Sequence, residues 1–322
     1  MPLMQVRTPY SNEGHLSMSM PFMSRLSHRP ARALVVSLVL FSTLGILGGS
    51  NPPVMTTAEV MALPQPPADV RLIYADHPSG FGDLRLPPGD GPFPVVILVH
   101  GGCWMAEFDL GYISSLAAAI TAEGYATWSI EYRRVGEDGG GWPGTFIDVA
   151  AAADHVRVLA RSYPLDMDKV IAVGHSAGGH LALWLAARRA LASDDPLRGA
   201  DPIALAGVIG LAAIPDLAAY NSPEGCGSLV PGLLGGDPAA HPERLKRASP
   251  IELLPLALPQ VLISGGRDTI VPAIHARNYA NAGGGGPIST IVVDSAGHFE
   301  LVTPEGRAWR ELGKALRGLC DP

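Results

Sequence analysis

The chain holds 322 residues, 47% of them hydrophobic and 16% charged, with a net charge of −7 and a pI near 5.8. That composition supplies a large buried core and excludes a disordered chain, and an acidic balance without a basic stripe excludes nucleic acid as a partner. Three scattered cysteines (Cys103, Cys226 and Cys320), no Cys-x-x-Cys pair and no His-Glu-x-x-His helix exclude a disulfide-dense scaffold and leave no metal site to expect.

Residues 1–32 are rich in Ser, Met and Pro and carry Arg25, Arg29 and Arg32; an apolar run over 33–47 follows, then Gly48-Gly49-Ser50 and a Pro-rich stretch to Pro67. A positive flank, a short apolar core and small residues follow the order of a secretory signal. The run is short for a membrane span, which needs about 20 apolar residues. Cleavage is expected after Ser50 or Ala58; alternatively the gene start is over-extended and Met55 opens the protein. Residues 1–64 are therefore read as a signal- or anchor-like segment with a Pro-rich linker, and 65–322 as the folded domain. The expected location is exported or membrane-anchored if the segment is real, and cytoplasmic otherwise.

Onward, strand-length apolar runs alternate with helix-like segments. Stretches 70–74 and 82–86 read as an antiparallel edge pair. The run PVVILV over 94–99 is apolar and β-branched, as in a strand buried on both faces. A helix over 111–123 ends at Gly124, and a strand covers 125–130. Helical spacing of Phe146, Val149, Ala150, Ala153, Val156 and Leu159 predicts a helix over 146–162. A strand over 169–173 precedes an Ala- and Leu-rich helix over 177–191. Strands over 204–211, 260–264 and 288–293 follow, with a helix over 273–282 between the last two. The final helix, 304–316, is expected to open with Thr303 as N-cap and Pro304 in its first turn. This alternation predicts the α/β class, with a mainly parallel central sheet and helices on both faces. Only 214–255 breaks the pattern: it is rich in Gly and Pro without a long period, and is read as a small cap over the site.

Four places carry chemistry. Gly174-His175-Ser176-Ala177-Gly178-Gly179 fits G-x-S-x-G between a strand and a helix, a turn that raises a serine Oγ above the sheet and offers the Ala177 amide to an oxyanion. His100-Gly101-Gly102-Cys103-Trp104 directly follows the strand over 94–99, and its Gly102 and Cys103 amides are the other expected oxyanion donors. Asp268, after the strand over 260–264, is the expected acid; Asp216, one strand earlier, is its rival. Of the 10 histidines, His298 alone sits after the final strand and downstream of the acid, where it can act as general base. His175 and His180 flank the turn and are read as packing or hydrogen-bonding residues. Trp104, Phe299, Leu229, Leu233 and Leu234 are expected to line an acyl or alcohol pocket.

With HGGCW at 100–104, EYR at 131–133, GHSAGGH at 174–180, GGRDTIVP at 265–272 and GHFE at 297–300, the chain resembles the α/β-hydrolase superfamily, in its esterase/lipase and kynurenine-formamidase-like branch. The resemblance spans 70–316. It implies the α/β-hydrolase fold and acyl transfer by Ser176, Asp268 and His298, without a metal or organic cofactor. Cys103 stands where the HGGG form has its third glycine, the form associated with esters of bulky tertiary alcohols. The expected substrate is a small-molecule ester of a small or medium acyl group. An aryl-formamide, other amide or exopeptidase-like substrate is the second reading. A non-catalytic binding module is the third, disfavoured by the intact set of groups. If the protein is exported, Cys103 and Cys226 are candidates for a disulfide tying the cap to the oxyanion loop.

Overall fold

Eight strands hydrogen-bond into one sheet in the computed structural model of the protein, which describes residues 52–320. In chain order they are β1 (Val70–Ile73), β2 (Phe81–Arg85), β3 (Phe93–Val99), β4 (Ala126–Ile130), β5 (Leu165–His175), β6 (Gly207–Leu211), β7 (Gln260–Gly265) and β8 (Ile288–Val293). Across the sheet the order is β1-β2-β4-β3-β5-β6-β7-β8. The strands from β4 through β8 run parallel, while β1 and β2 form an antiparallel edge. The architecture is the mainly parallel α/β sheet expected from the strand–helix alternation, and it has the α/β-hydrolase form that the resemblance implies.

Sequence explains the layers. β3, β4 and β6 are buried almost throughout, β3 and β6 with apolar residues and β4 with Thr127 and Ser129 among its apolar neighbours, as strands covered on both faces are. β1 instead alternates half-buried Val70 and Leu72 with exposed Arg71 and Ile73, and Arg71 holds Asp83 through two bonds of 2.7 and 2.9 Å. A charged pair on an edge strand discourages pairing with another chain. The helix Ala177–Ala187 is buried at every residue, as its all-round apolar sequence requires. The last helix, Gly306–Cys320, buries one stripe: Ala308, Leu312, Leu316, Leu319 and Cys320.

Chain connectivity reverses at β3, which is flanked by β4 on one side and β5 on the other. Ligand crevices in open parallel sheets form at such switch points, beyond the carboxyl ends of the strands. Here Val99 of β3 pairs with Gly174 of β5, so the loops that follow them emerge side by side.

Several boundaries differ from expectation. The predicted helix over 146–162 is two helices, Gly144–Asp154 and Val156–Leu159, and stops short of Pro164, before which helical backbone is disfavoured. Thr303 does not cap the last helix; its hydroxyl donates to the Glu300 carbonyl at 2.9 Å and closes the preceding 3-10 turn, so the helix starts at Gly306. The 214–255 stretch contains short helices, among them Val230–Leu234 and Pro242–Ala248, with Val230, Leu233 and Leu234 buried. It is bolted to the buried helix: His180 bonds the Ala248 carbonyl at 2.9 Å and Trp184 the Arg247 carbonyl at 2.8 Å.

The boundary expected at 64/65 also moves. Residues 52–64 are not a linker but lie on the domain, with a one-turn helix Thr57–Met61 whose Val60 is buried. Thr56 and Glu59 form a capping box that starts it, and the Ser115 hydroxyl donates to the Pro64 carbonyl at 2.5 Å. The signal-like pattern and the Ser50 cleavage position lie outside the described residues. Among the described residues no helix is long and apolar enough to cross a membrane.

Candidate active site

Ser176 occupies the turn between β5 and the helix Ala177–Ala187 with φ 57° and ψ −121°, a conformation that a residue with a Cβ adopts only when its surroundings enforce it. Those surroundings are two glycines. A Cβ on Gly174 would lie 2.1 Å from the Gly178 carbonyl oxygen, and one on Gly178 would lie 2.2 Å from the carbonyl oxygens of Val99 and His100. The Ser176 amide donates to the Leu211 carbonyl at 2.8 Å, which fixes the turn to β6. Ala177 opens the helix, so its amide belongs to the first-turn donors with no acceptor within the helix.

The expected acid and base meet. Asp268, in the turn after β7, accepts two amides, from Ile270 and Val271, on Oδ1, each at 2.8 Å. Its Oδ2 faces His298 Nδ1 at 2.7 Å. Both residues are buried. Asp216 is elsewhere: it caps the short helix Leu217–Tyr220 by accepting from the Ala219 amide at 3.0 Å.

A chain of hydrogen bonds runs beneath these residues. The Gly101 amide donates to the Tyr112 hydroxyl at 2.6 Å, that hydroxyl is 3.1 Å from His175 Nδ1, and His175 Nε2 is 3.1 Å from the His298 carbonyl oxygen. A carbonyl only accepts, so Nε2 carries the proton and Nδ1 receives the Tyr112 O–H. His175 is therefore neutral, and burial, reinforced by nearby His298, pushes its pKa well below the ordinary value. Burial also pushes the Tyr112 phenol upward, which keeps it a donor.

The loop after β3 is anchored by a buried pair. His100 Nε2 lies 2.8 Å from Glu131 Oε1, and the His100 ring stacks on Tyr132 at 4.4 Å between centroids. Burial alone would raise the Glu131 carboxyl, but His100, Arg134 and the Tyr132 amide together hold it below its ordinary value. Beyond this anchor Gly102, Cys103 and Trp104 take φ of 98°, 53° and 61° in succession.

Ser176 and His298 line one cavity of 110 Å³ together with Gly102, Cys103, Phe108, Tyr112, His175, Ile270 and Phe299. Cys226 completes this wall through a disulfide to Cys103, with 5.1 Å between their Cα atoms. Thr57, Val60 and Met61 also lie in the cavity wall. Of the lining residues expected from sequence, Phe299 is present and Trp104 is not. The positive φ of Trp104 turns its indole into the core, fully buried, where Nε1 donates to His180 Nδ1 at 3.2 Å. Leu229, Leu233 and Leu234 also lie outside the cavity wall. Phe108, Tyr112, Ile270 and the 57–61 helix were not foreseen; the Thr56-x-x-Glu59 pattern was the available signal for the helix. A larger cavity, 590 Å³, opens at the β1–β2 edge but contains neither Ser176 nor His298. There Arg71 is tied to Asp83, and Arg134 to Glu137.

The profile of the BD-FAE family matches residues 83–282. The chain belongs to the BD-FAE family. The BD-FAE match includes Ser176 and Asp268, and ends before His298. Esterase LipC of Mycobacterium tuberculosis (strain ATCC 25618 / H37Rv) is 28% identical over 249 residues, 72% of this chain and 60% of LipC. This BD-FAE chain thus spans less than two thirds of that relative. Among solved structures, a truncated carbohydrate esterase from gut microbiota superposes with a TM-score of 0.67 at 23% identity, covering 80% of this chain and 99% of that one. The butyrate-bound esterase Est2 of Thermogutta terrifontis superposes with a TM-score of 0.63 at 19% identity, covering 80% and 97% of the two chains.

Proposed function

We propose that the chain is a serine hydrolase that cleaves carboxylic esters of small or medium acyl groups through an acyl-enzyme on Ser176. One observation carries this reading: a serine on a strained strand-to-helix turn and a histidine held by a carboxylate at 2.7 Å line the same cavity. The esterase name of LipC supports it.

In this reading His298 takes the Ser176 proton while Oγ attacks the acyl carbon. Asp268 fixes the imidazole tautomer and stabilises the imidazolium; the two amides on its other oxygen keep it aimed. The tetrahedral oxyanion is held by the amides of Gly102, Cys103 and Ala177, each worth about 3 kcal/mol of transition-state stabilisation. The bond to the alcohol oxygen then breaks and the alcohol leaves with the proton from His298. Water, deprotonated by His298, attacks the acyl-enzyme, and Oγ regains its proton as the carboxylic acid departs. The apolar cavity wall suits an acyl chain rather than a charged group.

The reading extends to location. A signal-like N-terminal pattern and a Cys103–Cys226 bridge both fit an exported protein in an oxidising compartment.

A fluorophosphonate probe tests the mechanism: the wild type is expected to label and Ser176→Ala to lose all label. An unlabelled wild type, or a labelled Ser176→Ala, refutes it. A panel of p-nitrophenyl esters beside N-formyl aromatic amides tests the bond cleaved, with the esters expected to be turned over faster.

A further inference from the structure

The cavity around Ser176 is closed by a piece of chain from far upstream. Thr57, Val60 and Met61 lie in its wall, and Val60 is 1% exposed. A helix of one turn has little stability of its own, so something else must hold it there. The holding points are on the two loops that carry the acid and the base. Arg267, the residue before Asp268, donates from Nη1 to the Pro52 carbonyl at 2.6 Å. Glu300, two residues after His298, accepts the Met55 amide at 2.6 Å on one oxygen and the Gly297 amide at 3.0 Å on the other.

We infer that residues 52–63 form a specificity strap, in which Val60 and Met61 set the maximum length of the acyl chain that fits beside Ser176 and restrict the substrates to short acyl esters. This rests on the serine-esterase reading above. The observation behind it is spatial. At 110 Å³ the cavity is well below the roughly 300 Å³ at which pockets for drug-sized ligands begin. On this side Val60 and Met61 present apolar side chains to an alkyl tail, with Thr57 beside them. A tail directed at this wall and longer than the cavity meets Val60, and displacing Val60 disturbs the strap and its two anchors. The strap also makes the site sensitive to processing: cleavage after Ser50 leaves it whole, whereas cleavage after Ala58 severs it within the helix.

The test is an acyl-length series with a constant alcohol. The p-nitrophenyl acetate, butyrate, hexanoate and octanoate esters are assayed on the full chain and on its Val60→Ala and Met61→Ala variants. A fluorophosphonate probe reports Ser176 reactivity in the wild type. Wild-type kcat/KM is expected to fall at least about tenfold from butyrate to octanoate, and the octanoate-to-acetate ratio to rise roughly tenfold in Val60→Ala, the scale of one or two methylenes in a closed pocket. Met61, at the rim and 36% exposed, gives a second reading that does not depend on a core substitution folding, and its ratio is expected to rise in the same direction. Ratios unchanged within about twofold in both variants, with the wild type labelled, overturn the strap and leave the esterase reading standing. Absence of label on the wild type overturns both.

Discussion

His175 Nε2 donates to the carbonyl oxygen of His298 across 3.1 Å, so the residue before the proposed nucleophile holds the backbone of the proposed base. The other side of the same imidazole takes the Tyr112 hydroxyl, which in turn takes the Gly101 amide. Three loops from three strand ends are thus kept in register by one neutral ring.

Tyr112→Phe removes the central link and leaves the Gly101 amide and His175 Nδ1 without their partner. An unsatisfied buried polar group costs about 1–3 kcal/mol. The expected outcome is a fall in kcat of roughly tenfold or more, with KM changed less, because loop register matters most in the transition state. Steady-state kinetics on p-nitrophenyl acetate read it; a normal kcat would show that the relay does not position the site.

Asp268→Asn and Asp216→Ala should separate completely. The first removes the group that fixes the His298 tautomer, and kcat is expected to drop by roughly 10⁴-fold. The second removes a helix cap, lowering stability by about 1 kcal/mol in a denaturant titration while leaving kcat in place. Equal effects of the two substitutions on kcat would reopen the choice of acid.

Stability should decline on mild acidification because of His180. Burial lowers its pKa to about 4 and outweighs the Nε2–H bond to the Ala248 carbonyl, which acts in the opposite direction; Nδ1 accepts from Trp104 and cannot take a second proton without breaking that bond. The folded pKa lies below the unfolded value of about 6.5, so the unfolded chain binds more protons between them. This contribution is whole above pH 6.5 and is lost as pH falls toward 4, for a total near 3 kcal/mol; buried His175 adds to it with the same sign. Denaturation midpoints from pH 7 to 4 measure it, and a His180→Gln variant is expected to show a flatter profile over the upper half of that window, before carboxylates begin to titrate. An equally steep profile in the variant would remove His180 from the account.

The Cys103–Cys226 bridge predicts a redox dependence. It closes a loop with a sequence separation of 123 residues and fastens the loop after β3 to the 214–255 insertion. Cys226→Ser, or treatment with a phosphine reductant, is expected to lower stability by about 2–4 kcal/mol and to lower kcat as the loop loosens. Non-reducing peptide mapping should recover Cys103 joined to Cys226; recovery of both as thiols from the untreated protein refutes the bridge.

What could be read in advance follows from how local each signal was. Ser176 directly follows β5 and Asp268 lies in the turn after β7, and strand ends of a parallel sheet converge on one edge, so chain order was enough to bring them together. Trp104 was misread because its neighbours reverse the chain. A run of positive φ through Cys103 and Trp104 is rare for residues with a Cβ, and nothing in their identities announces it. Thr303 looked like a cap because it precedes Pro304; its hydroxyl was already engaged by a turn that no periodicity marks. The 57–61 helix carries a local signal in Thr56-x-x-Glu59 but is flanked by prolines on both sides, and the partners that fix its place on the domain lie 215 and 245 residues away, beyond the reach of any local pattern.

Those separations bear on how the protein is made. Residues 52–63 leave the ribosome early, yet their anchors, Arg267 and Glu300, are among the last segments to emerge. Contacts this distant form late and slowly. For nearly the whole of synthesis, then, residues 52–63 have neither of these anchors to dock on. Completing this wall of the cavity becomes one of the last acts of folding, and it coincides with the arrival of Asp268 and His298, whose loops carry the two anchors.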